Sequence, residues 1–282
     1  MSSTSVTQPT TVHGTTPRAT VVLDSVSERG ARVTTIEVTL HRFVLAELNT
    51  HRAFSRNSAS SRAIPTRRQL LRVLEHPALP VEFGANQRGM QAGEPLAGDE
   101  LGRAHAAWLR ARDAAVDAAQ DLLELGVHKQ VVNRLLEPFM WHTVIVTATD
   151  WDGFWQQRCN PLAQPEINLA ATAMRAARDA SVPRPVPDGA WHTPYVRLDE
   201  ADLPVETRKR VSAARCARVS YLTHDGRRDL AADEQLYDRL VTADPPHWSP
   251  LEHVATPATD PVVGNLRGWR QLRHVVEAQR SS

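Results

Sequence analysis

Three segments of the chain concentrate side chains able to do chemistry. The densest is Asn49–Arg62 (NTHRAFSRNSASSR), with three arginines, one histidine, two asparagines and four serines. Guanidinium groups give bidentate hydrogen bonds to phosphate oxygens, and the neighbouring hydroxyls and imidazole suit a heteroaromatic ring. The segment reads as an anion site, although a solvated basic loop has the same composition. The second, Pro245–His253 (PPHWSPLEH), places His247, His253 and Glu252 in a proline-stiffened turn. Their spacing matches neither a helical HExxH pair nor a Cys/His zinc pattern, so no metal is expected, and a capped turn with surface histidines is the alternative. The third comprises Arg134 in VVNRLLEPF and Arg158 ahead of AQPEI. Arginines in so apolar a background need partners, as structural ion pairs or as ligand contacts.

The elements that position these segments follow from periodicity. Ala19–Asp24 and Arg32–Leu40 are rich in β-branched residues and alternate in type, which predicts two strands around the turn at Glu28–Gly30. The period becomes helical over His41–His51 and delivers the chain to the first segment. Helices are expected at Gln69–Glu75, Glu100–Leu125, His128–Glu137, Asp152–Arg158, Pro165–Ala180, Pro204–Ala217, Asp233–Ala243 and Gly264–Ala278. Val144–Thr149 is apolar and β-branched but short. His76–Asp99, rich in proline and glycine, reads as an inserted surface loop. Met1–Arg18 has almost nothing to bury and reads as a disordered lead-in to one domain over residues 19–282.

Composition removes several function classes. With 33 Lys+Arg against 32 Asp+Glu among 282 residues, no excess of positive charge drives nucleic-acid binding. No apolar stretch approaches the roughly 20 residues that span a bilayer, and no export signal is evident. Cys159 and Cys216 make no disulfide framework, which suits reduced thiols in a cytoplasm. Neither GxGxxG nor GxxxxGK[ST] is present.

Taken together, the three segments resemble the flavin-dependent thymidylate synthase family of the ThyX type. HRAFSRNSASSR resembles its signature, an Arg-His-Arg followed by seven residues and a serine: His51, Arg52 and Ser60 match, and Arg62 matches the trailing arginine. GVHKQVVNRLLEPF, with Arg134, and FWQQRCNPLAQPEI, with Arg158, Ala163, Gln164 and Glu166, resemble two further blocks. The family's opening motif resembles CARVSY (Cys216–Tyr221) and HWSPLEH (His247–His253), but it stands after the others here, so the chain reads as circularly permuted. Four positions depart from the pattern: Thr50 replaces the first arginine of the signature, Ser58 a common acidic residue, Glu47 a base-contacting glutamine, and Gly153 an asparagine.

The resemblance implies an α+β fold of mixed sheet with helices, and a homotetramer with shared active sites. It also implies C5 methylation of a uracil nucleotide, dUMP or UMP, with FAD as cofactor and NADPH and 5,10-methylenetetrahydrofolate as co-substrates. UMP methylation belongs to relatives in nucleoside-antibiotic pathways. The carried-over catalytic residues are Arg158 and Ser60, with Glu47, Ser58, Arg62 and Arg134 also on the nucleotide. His51, Arg52, Ser220, His247, Ser249 and Glu252 are carried over to the flavin. Loss of the first arginine would reroute phosphate recognition, with neighbouring Arg56 as the substitute. The rival from a different class is a non-catalytic flavin- or nucleotide-binding protein that kept the fold.

Overall fold

The computed structural model describes residues 16–219, 229–259 and 264–280. Strands β1 (Arg18–Ser27) and β2 (Arg32–His41) form an antiparallel hairpin whose turn uses Gly30 at φ +81°, a left-handed conformation that glycine adopts without cost. A 3-10 turn at Arg42–Val44 leads to the short helix α1 (Leu45–Asn49), then to β3 (Ser55–Ser58) and α2 (Thr66–Glu75). The next elements are α3 (Gly98–Glu124), α4 (Lys129–Leu135), β4 (Trp141–Ala148), α5 (Asp152–Arg158), α6 (Pro165–Asp179) and β5 (Arg184–Val186). A C-terminal block follows: α7 (Val205–Arg218), α8 (Leu230–Thr242), β6 (Ala255–Pro257), β7 (Trp269–Gln271) and α9 (Leu272–Arg280).

The main sheet has the order β3-β4-β2-β1-β5, antiparallel except for the parallel β1/β5 pair, and β6/β7 form a separate antiparallel ribbon. Because side chains alternate along a strand, the two central strands present two different faces. Ile36, Val38, Leu40, Val144, Val146 and Ala148 pack on Ile167, Ala170, Ala171 and Met174 of α6. On the other face Ile145 meets Cys216 and Val219 at the end of α7, Thr35 meets His192 in the segment before α7, and Thr147 meets His253 of the C-terminal block. A satellite core joins α2, α3 and α4 through Val73, Val116, Ala119, Val132 and Leu136. The fold class is α+β, as expected.

Several boundaries differ from the sequence expectation for physical reasons. The single helix expected over His41–His51 is a 3-10 turn and one short α-helix, because His41 still belongs to β2 and the Arg42 N–H donates to the Met140 carbonyl. Val144–Thr149 is the end of a strand that begins at Trp141, and Gly264–Ala278 contains β7, where Trp269 pairs with Pro257, before its helix starts. β1 starts at Arg18, inside the stretch read as lead-in, while Met1–Thr15 lie outside the described residues. The loop before α3 is tied down: the Val81 N–H donates to buried Glu166 Oε1, and a ring nitrogen of His41 bonds the Leu79 carbonyl.

A chain of buried hydrogen bonds crosses the sheet under the C-terminal block. Ser25 Oγ bonds His192 Nδ1, His192 Nε2 bonds Thr35 Oγ1, Thr35 bonds Thr147, and Thr147 bonds His253 Nδ1, at 2.7–2.8 Å throughout. His192 and His253 are fully buried, and burial brings each to a pKa of about 3. His142, also buried, is pushed to about 3 by desolvation and by Arg42. In the unfolded chain each titrates near 6.5, so below that pH the unfolded state binds protons that the folded state refuses. Stability is therefore fully present above about pH 6.5 and falls as the pH drops toward 3, by up to about 1.4 kcal/mol per pH unit per histidine. Urea unfolding should show a midpoint that declines between about pH 7 and about pH 5, and His253→Gln should flatten that decline.

Candidate functional site

The site segment is held by the end of α1. Helix C-termini leave carbonyls without intrahelical partners, and Arg56 Nη1 answers this by donating to the carbonyls of Leu48, Asn49 and His51 at 3.2, 3.0 and 3.1 Å. Arg56 thus commits its Nη1 to the backbone, and its remaining donors have no partner among the described residues. β3 then carries Ser55–Ser58 onto β4, with Ser58 opposite Val144, and Ser60 begins the turn toward α2.

Arg158, the last residue of α5, is gripped from this segment. Its Nε donates to His51 Nε2 at 3.0 Å, and its Nη2 donates to Thr50 Oγ1 at 3.1 Å and to the Glu47 carbonyl at 3.3 Å. Its Nη1 has no partner among the described residues. Thr50 completes the arrangement by donating to the same Glu47 carbonyl at 2.7 Å. An arginine at position 50 would set a like charge against Arg158; the threonine offers an acceptor instead. His51 is neutral at physiological pH, since burial, Arg158 and Arg56 together lower its pKa to about 4. With Nε2 accepting from Arg158, the ring proton resides on Nδ1. Oε2 of Glu47 is buried and has no donor among the described residues.

Around the turn, the Arg62 N–H donates to Ser60 Oγ at 3.2 Å, while Asn133 and Lys129 of α4 donate to the Ser61, Ile64 and Ala63 carbonyls. No imidazole or carboxylate bonds Ser60 Oγ among the described residues. The Arg62 and Arg52 side chains are exposed and have no acid partner there. Arg134 stands apart from Arg158. It is about half exposed and pairs with Glu137 at 2.7 Å, and the same carboxylate oxygen holds Arg42 at 3.1 Å.

The C-terminal block reaches the same segment. Ser249 Oγ lies 3.4 Å from Asn57 Oδ1, and Asn57 Nδ2 donates to the Cys216 carbonyl. Gln271 Nε2 bridges Ser55 Oγ at 2.8 Å and the Glu252 carbonyl at 2.7 Å, while the Glu252 carboxylate takes Arg273 at 2.6 Å. His247 is exposed; His253 points into the buried chain on Thr147, so it and Glu252 serve different partners. Ser220 lies outside the described residues. Arg218 of the CARVSY segment pairs with Asp233, which also holds buried Arg215.

Chemically, the segment and α5 offer one oriented guanidinium with a free amino group, a neutral imidazole with a free N–H, and two exposed arginines without an acid partner among the described residues. Such donors fit an anionic planar ligand or a phosphorylated cofactor. Thr50, Asn57 and Gln271 were not assigned roles from sequence, because each acts through a hydrogen bond to a distant element. Only the Gln271 amide, in a strand otherwise flanked by arginine and apolar residues, carried any local signal.

Among the described residues no helix is long and apolar enough to cross a membrane. Among solved structures, the chain is similar to the UMP/dUMP methylase PolB from Streptomyces cacaoi bound with 5-Br UMP. The identity is 16% and the TM-score 0.49, over 57% of this chain and 88% of that one. It is also similar to the same enzyme bound with 5-Br dUMP, at 18% identity and TM-score 0.40, over 52% of this chain and 66% of that one. No curated protein matches the sequence. The sequence model of the thymidylate synthase complementing protein family, Thy1, matches residues 30–184, more than half of the chain and the whole span from β2 through Arg158 to β5, and the chain belongs to that family.

Proposed function

We propose that the protein is a flavin-dependent methylase that transfers a one-carbon unit to C5 of a uracil nucleotide, dUMP or UMP, with methylenetetrahydrofolate as carbon donor and NADPH as reductant. The observation that carries this reading is Arg158, fixed by His51, Thr50 and Glu47 with its Nη1 left free. C5 of uracil becomes nucleophilic only when negative charge builds on the ring. A guanidinium aimed at a ring carbonyl stabilises that charge, and because it is already oriented it costs no reorganisation as the charge grows. Glu47 Oε2, buried without a donor, suits a ring N–H. Ser60 positions the base, Arg62 and Arg134 serve the phosphate and sugar, and Ser58 lines the same edge.

Bound FAD would carry reducing electrons from NADPH to the transferred carbon. Arg52 and the His51 Nδ1–H would hold it from the site segment, and His247, Ser249, Glu252 and Ser220 from the C-terminal block. The neutral state of His51 keeps a second positive charge away from Arg158. Among the described residues, no base bonds Ser60 as an attacking serine needs. A circular permutation within the family accounts for the motif order, and docking of the Ser249–His253 turn onto β3 supports it. The family reading includes a homotetramer with shared sites and a cytoplasmic location.

Tritium release from C5-labelled dUMP and UMP, assayed side by side with NADPH and methylenetetrahydrofolate, tests the reaction. A yellow protein that releases none with either nucleotide would leave the non-catalytic reading. In the same assay Arg158→Ala should lose about 100- to 1,000-fold in turnover with flavin still bound. Thr50→Val, which keeps the shape but removes one acceptor of Arg158, should cost about tenfold in kcat. Ser60→Ala should lose a hydrogen bond, about tenfold, and retain chemistry at saturating nucleotide; complete inactivity of the folded, flavin-loaded variant would instead identify Ser60 as the nucleophile.

A further inference from the structure

A second basic cavity lies between α2 and the sheet. About 70 Å³ in volume, it is lined on one side by Gln69, Arg72 and His76 of α2 and its C-terminal cap, and on the other by Arg18, Trp141 and Thr143 of the strands. Among the described residues no carboxylate lines it. Arg72 is partly buried and has neither a hydrogen-bond acceptor nor an ion-pair partner for its side chain among the described residues. The charge that acts on it is another cation, Arg68, which together with burial lowers its pKa.

Arg72 differs in this from two arginines whose charge is matched. Arg215 and Arg32, which are similarly withdrawn from water, are matched by Glu200 with Asp233 and by Asp24. Drawing a guanidinium partly out of water without an acceptor is costly, and Arg72 lacks the acceptor that Arg215 and Arg32 have. Gln69 points the same way. It is 2% exposed, and its Oε1 has no partner. The two ends of a carboxamide interchange by rotation, which brings the NH2 to the same point as a donor.

We propose that this cavity binds a phosphate-type oxyanion, with Arg72 as its anchor and Gln69 and Arg18 as flanking donors. The volume suits a single phosphate group and not a whole nucleotide. The group has two possible sources, inorganic phosphate or the phosphate of a phosphomonoester whose remainder lies outside. The second would bring the cavity near the candidate site, because the carbonyl of Thr143, a lining residue, accepts the N–H of Ala59, the residue before Ser60. The site stands on its own geometry and needs no step of the methylation reading.

Thermal unfolding and calorimetric titration of the full chain would test this, with inorganic phosphate, UMP and uridine as probes and chloride at matched ionic strength as control. Phosphate should raise the melting temperature where chloride does not, and Arg72→Met should abolish that rise while leaving the phosphate-free protein as stable as the parent or more so. Arg18→Ala, at an exposed position, should weaken phosphate binding several-fold and guards against misfolding of the first variant. If UMP affinity falls at least tenfold in Arg72→Met while uridine binding is unchanged, the phosphomonoester is the occupant; if only inorganic phosphate responds, the free anion is. Phosphate binding with equal affinity to the parent and both variants, or no phosphate effect on the parent, would overturn the proposal.

Discussion

The hydrogen-bonded pair Thr35–Thr147, at the centre of the sheet, holds the two halves of the molecule together. Both residues are fully buried, so their hydroxyls must be satisfied internally. Thr35 takes His192, from the segment between β5 and α7 that bridges to Ala255, and Thr147 takes His253 of the C-terminal block. A purely apolar face at these positions would accept the block in several registers; a chain of named donors and acceptors accepts it in one. The register of the Ser249–His253 turn, and with it the reach of Ser249 and Gln271 to β3, depends on that match. Imidazoles joined in this way must stay neutral, which links docking to pH.

Around the candidate site the arginines divide according to what already holds them. Arg56 gives its Nη1 to backbone carbonyls and Arg134 gives its Nη1 to Glu137, whereas Arg158 is gripped through Nε and Nη2 with Nη1 left over, and Arg52, Arg62 and Arg72 lack acid partners among the described residues. Electrostatic preorganisation requires the intermediate case, a charge fixed in direction but unspent. Thr50 is what makes Arg158 that case. The departure from the family pattern at position 50 therefore supplies an orienting acceptor next to the key cation, in a place where a second guanidinium would have competed with it.

Much of this was legible in the sequence, for identifiable reasons. β1, β2, α3 and α6 announce themselves by β-branched alternation or by helical period with a clear start or stop, and the blocks around Ser60, Arg134 and Arg158 carry their family in their spacing. β3 was not legible, because Ser55–Ser58 is wholly polar and becomes a strand only when β4 offers it an edge. β5, three residues with a proline, is set by parallel pairing with Ser25–Ser27. The commitment of Arg56 was hidden for a similar reason: composition marks a guanidinium as an anion ligand, yet helix-end carbonyls compete for the same donors. The bonds that tie Thr50 to Arg158 and Gln271 to Ser55 span more than 100 residues of chain, beyond the reach of any local pattern.

The bond between Ser55 and Gln271 spans 216 positions of sequence. On the ribosome, the site segment is complete long before the residue that braces it has been made. Until then β3 can lie on β4 with its outer side uncovered, and the docking of the late block is the kind of long-range closure that slows folding. A ligand that needs both parts finds no partial site to bind on the growing chain. A ligand that bridged the two parts would act as a late lock on a structure whose first strands were laid down early.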